Sequence, residues 1–220
     1  MVSRAKRELG TPNARVLARE ASREALITAA ADIMRERDSL DFPLTEVGLR
    51  TGNSAALVQY HFGSKEGLLM AVVERHTAAA ARDMAALAAS DYSAEKKLRL
   101  HIRGVVSAYV RSPFTNRLLN HLQQNADEER SRHISEIFIK PVADFHRAIL
   151  EQGVREGLFR PIDPMHFYHM VVGACEHLVA YKTPLNHTFG VKEINDDLRR
   201  DFADTIFDVL VAGIAARPSL

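Results

Sequence analysis

A single cysteine, Cys175, occurs in the 220 residues, which excludes an internal disulfide framework and any all-cysteine metal site. Charge of one sign is missing as well. The 29 Lys and Arg stand against 28 Asp and Glu, a net of +1, so a uniformly basic nucleic-acid coat is ruled out and only a local basic patch remains. No apolar run approaches the roughly 18 residues that a membrane span requires. The first residues carry charge without the apolar stretch of a secretory signal, and a cytoplasmic location without membrane contact is expected. No period-2 strand pattern is visible, nor any repeat of roughly 20–50 residues. What is present is ordinary for a folded domain: 46% hydrophobic and 26% charged residues, enough chain for one or two domains at about 150 residues each.

Cations gather at one end. Residues 1–23 hold Arg4, Lys6, Arg7, Arg15, Arg19 and Arg23 against Glu8 and Glu20. Gly10, Thr11, Pro12 and Asn13 interrupt this stretch, and residues 1–20 read as a flexible basic arm.

Beyond the arm, apolar residues recur at helical spacing. Leu26, Ala29, Ala30 and Ile33 form a stripe that stops at Asp38-Ser39. Phe42-Pro43-Leu44 opens a short second helix ending at Gly52, and Ser54 caps a third that runs to Phe62. Gly63-Ser64 separates it from an Ala-rich helix reaching about Ala88. Ser93 caps a helix marked by Leu98, Ile102, Val105 and Tyr109, and Leu118, Leu119 and Leu122 mark another. A long stripe from Ile134 to Ile149 is expected to kink at Pro141. Asp163-Pro164 starts the next helix, lined by Phe167, Val171, Ala174 and Leu178, with Pro184 as its stop; Ile194 to Gly213 form the last. The reading is all-α, about nine helices. A three-helix helix-turn-helix unit spans residues 21–70, and a helical bundle spans residues 71–220.

Function enters through the short helices. Two of them joined by a Gly-containing turn form the crossing that lets the second enter a major groove. The pieces are Leu44 to Arg50, the turn Thr51-Gly52-Asn53, and Ser54 to Phe62. The stretch Thr45-Glu46-Val47-Gly48-Leu49-Arg50-Thr51-Gly52-Asn53-Ser54, followed by Tyr60-His61-Phe62-Gly63-Ser64-Lys65-Glu66-Gly67-Leu68, resembles the DNA-binding domain of the tetracycline-repressor (TetR) family. That family reads I-A-x-x-A-G-V-S, then L-Y-x-H-F, then x-S-K-E-x-L, and His61 to Leu68 match its H-F-x-S-K-E-x-L in full. The resemblance covers residues 20–75. Two departures stand out: Ala-Gly-Val becomes Thr51-Gly52-Asn53, losing an apolar plug, and the recognition-helix tyrosine aligns with Gln59 while Tyr60 stands beside it.

The resemblance implies a DNA-facing set of Thr45, Ser54, Ala55, Ala56, Gln59, Tyr60, His61 and Lys65. Physical roles follow residue by residue. A glutamine amide at position 59 suits bidentate reading of adenine. Ala55 and Ala56 are small enough for close groove approach. Thr45 suits a phosphate oxygen, as do Lys65 and the free N–H groups opening the fourth helix. Val47, Leu57, Phe62 and Leu68 read as core. Arg4, Lys6 and Arg7 either reach an adjacent minor groove or form a free tail.

The same resemblance implies that the C-terminal half binds a ligand and dimerises. The helix after Pro164 has two apolar stripes, the second running Met165, His169, Val172, Glu176 and Val179, and a helix apolar on two sides must be covered on two sides. The expected dimer contact comprises Phe167, Val171, Leu178, Phe202, Ile206, Val209 and Leu210. An effector cavity is expected at Tyr109, Phe138, Phe145, His169 and Glu176, a mix suited to a mostly apolar molecule held by one or two polar contacts. His166 and His169 have no third metal ligand in view, so no metal and no cofactor are expected, and Cys175 reads as an inert buried thiol. The function these observations favour is a homodimeric, ligand-responsive repressor on a palindromic double-stranded DNA operator, released by a small organic effector. The alternatives are a DNA-binding protein without an effector and an all-helical enzyme. For the enzyme, no nucleophile–base pair, phosphate loop or metal cluster appears.

Overall fold

A computed structural model describes residues 14–180 and 182–216. Its elements are helical throughout. In the N-terminal unit, α1 (Ala14–Arg37) buries Leu26, Ile27, Ala30, Ile33 and Met34 along one face and ends where Asp38 takes a positive φ of 48°. Residues 14–20, assigned by composition to an arm, are therefore helical, while Arg4, Lys6 and Arg7 lie outside the described residues. Next come α2 (Leu44–Arg50), α3 (Ala55–Phe62) and the start of α4 (Lys65–Ala88). The Ser64 hydroxyl accepts from Gly67 N–H at 3.0 Å, capping α4. Residue contacts divide the chain into two compact units, and the division falls between Val72 and Val73 within α4.

The C-terminal unit continues with α5 (Ala94–Arg111), α6 (Thr115–Gln124) and α7 (Glu128–Ile134). Ser93 caps α5 by accepting from Lys96 N–H, as its position predicts. The discontinuity expected at Pro141 takes the form of a π-helical turn, Ser135–Ile139, leading into α8 (Lys140–Arg155). Proline lacks the N–H for the i−4 bond and its ring crowds that carbonyl, so the widened turn lets the helix pass through it.

After Gly157, α9 (Pro164–Ala180) begins with Asp163 accepting from Met165 N–H at 2.7 Å. Pro184 does not stop this helix. It lies in the first turn of a further one, α10 (Lys182–Phe189), where a missing N–H costs no bond. The last is α11 (Asp196–Ile214), capped by Asn195. The described residues thus form eleven α-helices and one π turn, more than the nine expected, because α10 is separate and the Ile134–Ile149 stripe is divided.

Helices α5, α8, α9 and α11 enclose the main core, built from Leu98, Ile102, Phe145, Phe167, Val171 and Phe207 with their neighbours. The segment after α8 is pinned to the end of α11 by an isolated bridge between Phe159 and Ala215. No helix among the described residues is long and apolar enough to cross a membrane.

Candidate functional site

The turn between α2 and α3 is held by backbone contact. Asn53 N–H donates to Gly48 O at 2.8 Å, and Thr51 N–H donates to the same carbonyl at 3.1 Å. A Cβ on Gly48 would lie 2.8 Å from Asn53 O and 2.9 Å from Ser54 C, so the two helices approach too closely for any side chain there. Gly52 supplies the positive φ of 69° that turns the chain. Asn53, which replaces the family's apolar plug, donates its side-chain amide to the Thr51 carbonyl at 3.0 Å and to the Thr51 hydroxyl at 2.9 Å. That hydroxyl in turn donates to Gly48 O at 3.1 Å. A polar clamp has taken over the role of a packed residue.

This geometry leaves one face of α3 in solvent. Ser54, Ala56, Gln59 and Tyr60 are exposed, Ala55 and His61 are half-buried, and Thr45 is exposed in the first turn of α2. Ser54 makes no side-chain cap bond, so its hydroxyl stays available to a phosphate. The Gln59 side chain is exposed and donates its amide to Gly63 O at the end of its own helix. Lys65 is half-buried with Nζ 4.7 Å above the Phe42 ring.

Two cations from α1 join this face. Arg19 lies 5.7 Å over the Tyr60 ring and Arg23 lies 5.3 Å over Phe62. Burial first, and then these two guanidiniums, lower the pKa of His61 and favour its uncharged form. Arg19 and Arg23 were legible as part of a basic N-terminal stretch but not as neighbours of α3. Their spacing of four, continuing from Arg15, was the signal that one helical face carries them. Elsewhere in this unit charge is cancelled: Arg50 pairs with Glu36, and Arg37 with Glu46 at 2.7 Å.

In the C-terminal unit the stripes of α9 are used differently from expectation. Phe167 and Val171 are fully buried in the protomer's own core, and Leu178 and Ile206 nearly so; none of them offers surface to a partner. Phe202 and Leu210 are half-buried, while Val209 is 67% exposed. The outward face of α9 carries His166, His169, Met170 and Gly173 instead. Two apolar stripes on one helix do not reveal which of them the subunit keeps for itself.

The expected effector residues also separate. His169 is on that outward face, its ring 5.3 Å from Tyr168, and Phe138 is half-buried in the π turn. Phe145 is buried beside His101 and His146, and Tyr109 and Glu176 are half-buried near Tyr168; spacing did not single out His101, His146 or Tyr168. His101 Nε2 and His146 Nε2 are 2.8 Å apart. Burial drives His101 down to about 3, helped by His146, and drives His146 to about 4. Burial and then the Glu176 carboxylate raise the Tyr109 and Tyr168 phenols. The Cys175 thiol is pushed up to about 12 by burial and is unreactive. A separate surface groove of about 460 Å³ is lined by Asp127, Glu129, Arg130, Arg132, His133 and Glu136 around α7.

Residues 91–219 match the family model for the tetracyclin repressor-like C-terminal domain. The chain belongs to the TetR family. It is 24% identical over 196 residues to the HTH-type transcriptional repressor NicS of Pseudomonas putida, covering 88% of this chain and 92% of that protein. Its fold is that of FadR from Bacillus subtilis, solved with stearoyl-CoA (TM-score 0.68, 18% identity, 87% of this chain and 98% of that one). It is equally close to AibR, solved with isovaleryl coenzyme A and operator DNA (TM-score 0.68, 18% identity, 85% and 96%). As a TetR-family member the chain is a DNA-binding transcriptional regulator.

Proposed function

We propose that this protein is a homodimeric repressor that leaves a two-fold-symmetric operator when a small organic molecule enters its C-terminal unit, and that it is not an enzyme. The observation that carries the reading is the outward face of α3, with small or polar residues at Ser54, Ala56 and Gln59 and an arginine-flanked Tyr60. Small residues permit close approach to base edges, Gln59 offers an amide oxygen to them, and Thr45, Lys65, Arg19 and Arg23 supply phosphate contacts at the margin.

A dimer is required to read two half-sites about 34 Å apart. The surface suited to it is the outward face of α9 with the exposed stripe of α11, where Met170, Gly173, Val209, Ala212 and Gly213 combine apolar area with close approach. FadR and AibR, each solved with an acyl coenzyme A, favour a small-molecule effector for this protein too. An effector acts by binding more tightly to a dimer whose reading helices no longer match successive grooves.

A gel shift with the DNA upstream of the protein's own gene tests the first half of this reading. A chemically varied screen for compounds that abolish the shift tests the second. A protein that shifts no DNA at low salt sinks the proposal; a shift that no compound relieves favours a regulator without an effector.

A further inference from the structure

The core of the C-terminal unit contains a polar pair where aliphatic side chains would pack as well. His101 on α5 and His146 on α8 are both buried, with 2.8 Å between their Nε2 atoms. One proton serves that bond, so one ring donates and the other accepts. The second nitrogen of His146, Nδ1, is buried and has no hydrogen-bond partner among the described residues. Native cores rarely leave such an atom unbonded, and its desolvation weighs against the fold until something bonds it.

The surroundings are aromatic. The Phe145 ring is centred 4.8 Å from His101, and Phe167 and Tyr168 lie 5.4 Å and 5.8 Å from His146. Beside the pair, α5 packs on α9. His101, Val105 and Tyr109 recur every four residues along α5, as do Tyr168, Val172 and Glu176 along α9. Glu176 acts electrostatically on both Tyr109 and Tyr168, so these three side chains share one locality. All three are half-buried, unlike the fully enclosed His146.

We propose that the seam between α5 and α9 binds an uncharged aromatic molecule bearing a hydroxyl group, with the hydroxyl bonded to His146 Nδ1 and the ring against Tyr109 and Tyr168. The proposal rests on the reading of the C-terminal unit as the effector-binding part and names the effector's chemistry. A hydroxyl suits this nitrogen because it donates and accepts. When His146 donates to His101, its Nδ1 is bare and accepts a hydrogen bond from the hydroxyl. With the roles reversed, Nδ1 carries the proton and the hydroxyl oxygen accepts it. An anionic group is disfavoured: burial keeps both imidazoles uncharged, and the Glu176 carboxylate repels it.

Phenol and benzoate present the same ring with an uncharged hydroxyl or a carboxylate, and each is titrated into the full-length protein without DNA. Calorimetry reads affinity, and long-range proton–nitrogen NMR reads the imidazole nitrogens. Phenol is expected to bind and to shift the Nδ1 resonance of His146, with benzoate at least about tenfold weaker. The variant His146→Gln keeps an amide for His101 but has no Nδ1, and it is expected to bind phenol about tenfold more weakly. Equal phenol affinity in His146→Gln, an Nδ1 resonance that ignores phenol (as when a trapped water already bonds it), or benzoate binding as tightly as phenol overturns the proposal. The resonance is read on the unaltered protein, so the test remains decisive even if the variant does not fold. A parallel gel shift keeps the two readings apart. Operator binding relieved by a compound of another class, with His146 silent to phenol, defeats this site but not the regulator; absence of DNA binding defeats the regulator and leaves the phenol result to judge the site.

Discussion

Individual side chains carry two separable roles. On the proposed DNA-facing surface, Gln59→Ala is expected to change base preference, because it removes an exposed amide suited to base edges. Arg19→Ala and Lys65→Ala are expected to weaken binding evenly across sequences, each lowering the salt slope by about 1. Affinity titrations over a range of salt on matched and mutated operators distinguish these outcomes, and an unchanged slope removes the residue from the interface. In the core, the His101–His146 pair makes stability depend on pH. Both histidines are held uncharged, with folded values of about 3 and about 4 against an ordinary 6.5. The groups packed around them are Phe145 on α8 and Phe167 and Tyr168 on α9. Between those limits the unfolded chain binds protons that the folded pair refuses, so stability is full above about pH 6.5 and falls as pH drops toward 4. Each pKa unit corresponds to about 1.4 kcal/mol per site at most, and the loss should reach several kcal/mol. Urea midpoints at pH 7 and pH 4.5, compared between the natural protein and His146→Gln, measure it; a flat midpoint in the natural protein contradicts it.

At the level of elements, the decisive contact is the one between α2 and the start of α3. Gly48→Ala puts a methyl group 2.8 Å from a backbone carbonyl that cannot swing aside, a strain of about 1–3 kcal/mol. The expected result is weaker DNA binding and a lower melting temperature, read by gel shift and calorimetry on one preparation. Retention of both shows that the helices can part without consequence. The element boundaries show how far sequence carries. Ser93, Asp163 and Gly52 are legible because caps and left-handed turns depend on one residue's own chemistry. Pro184 was misleading for the same reason: its ring is equally at home after a helix and in the first turn of another, and only the path after α9 chooses between them.

For the molecule as a whole, the proposed dimer sets the sharpest test. Val209 is exposed on α11, so Val209→Glu should leave each subunit folded but separate the pair and reduce operator affinity. Ile206 faces the subunit's own core, and Ile206→Glu should unfold it, since a buried unpaired charge costs several kcal/mol. Sedimentation and circular dichroism tell the two apart. A Val209→Glu protein that remains a dimer moves the interface elsewhere, and a natural protein that sediments as a monomer removes the dimer altogether.

The all-helical class, the helix-turn-helix segment and membership in a family of regulators could all be read along the chain. They depend on local periodicity, on turn chemistry and on a motif confined to His61–Leu68. Which stripe of α9 is core could not be read that way. Both stripes carry large apolar residues, and packing against α5 and α8 took Phe167 and Val171 inward while His169 turned out. Packing likewise set Arg19 and Arg23 beside α3 and brought His101 to His146 across 45 residues of chain. Periodicity describes one helix at a time. A pair formed between helices has no signature along the chain, because its geometry is set by how their faces are rotated against each other in the core.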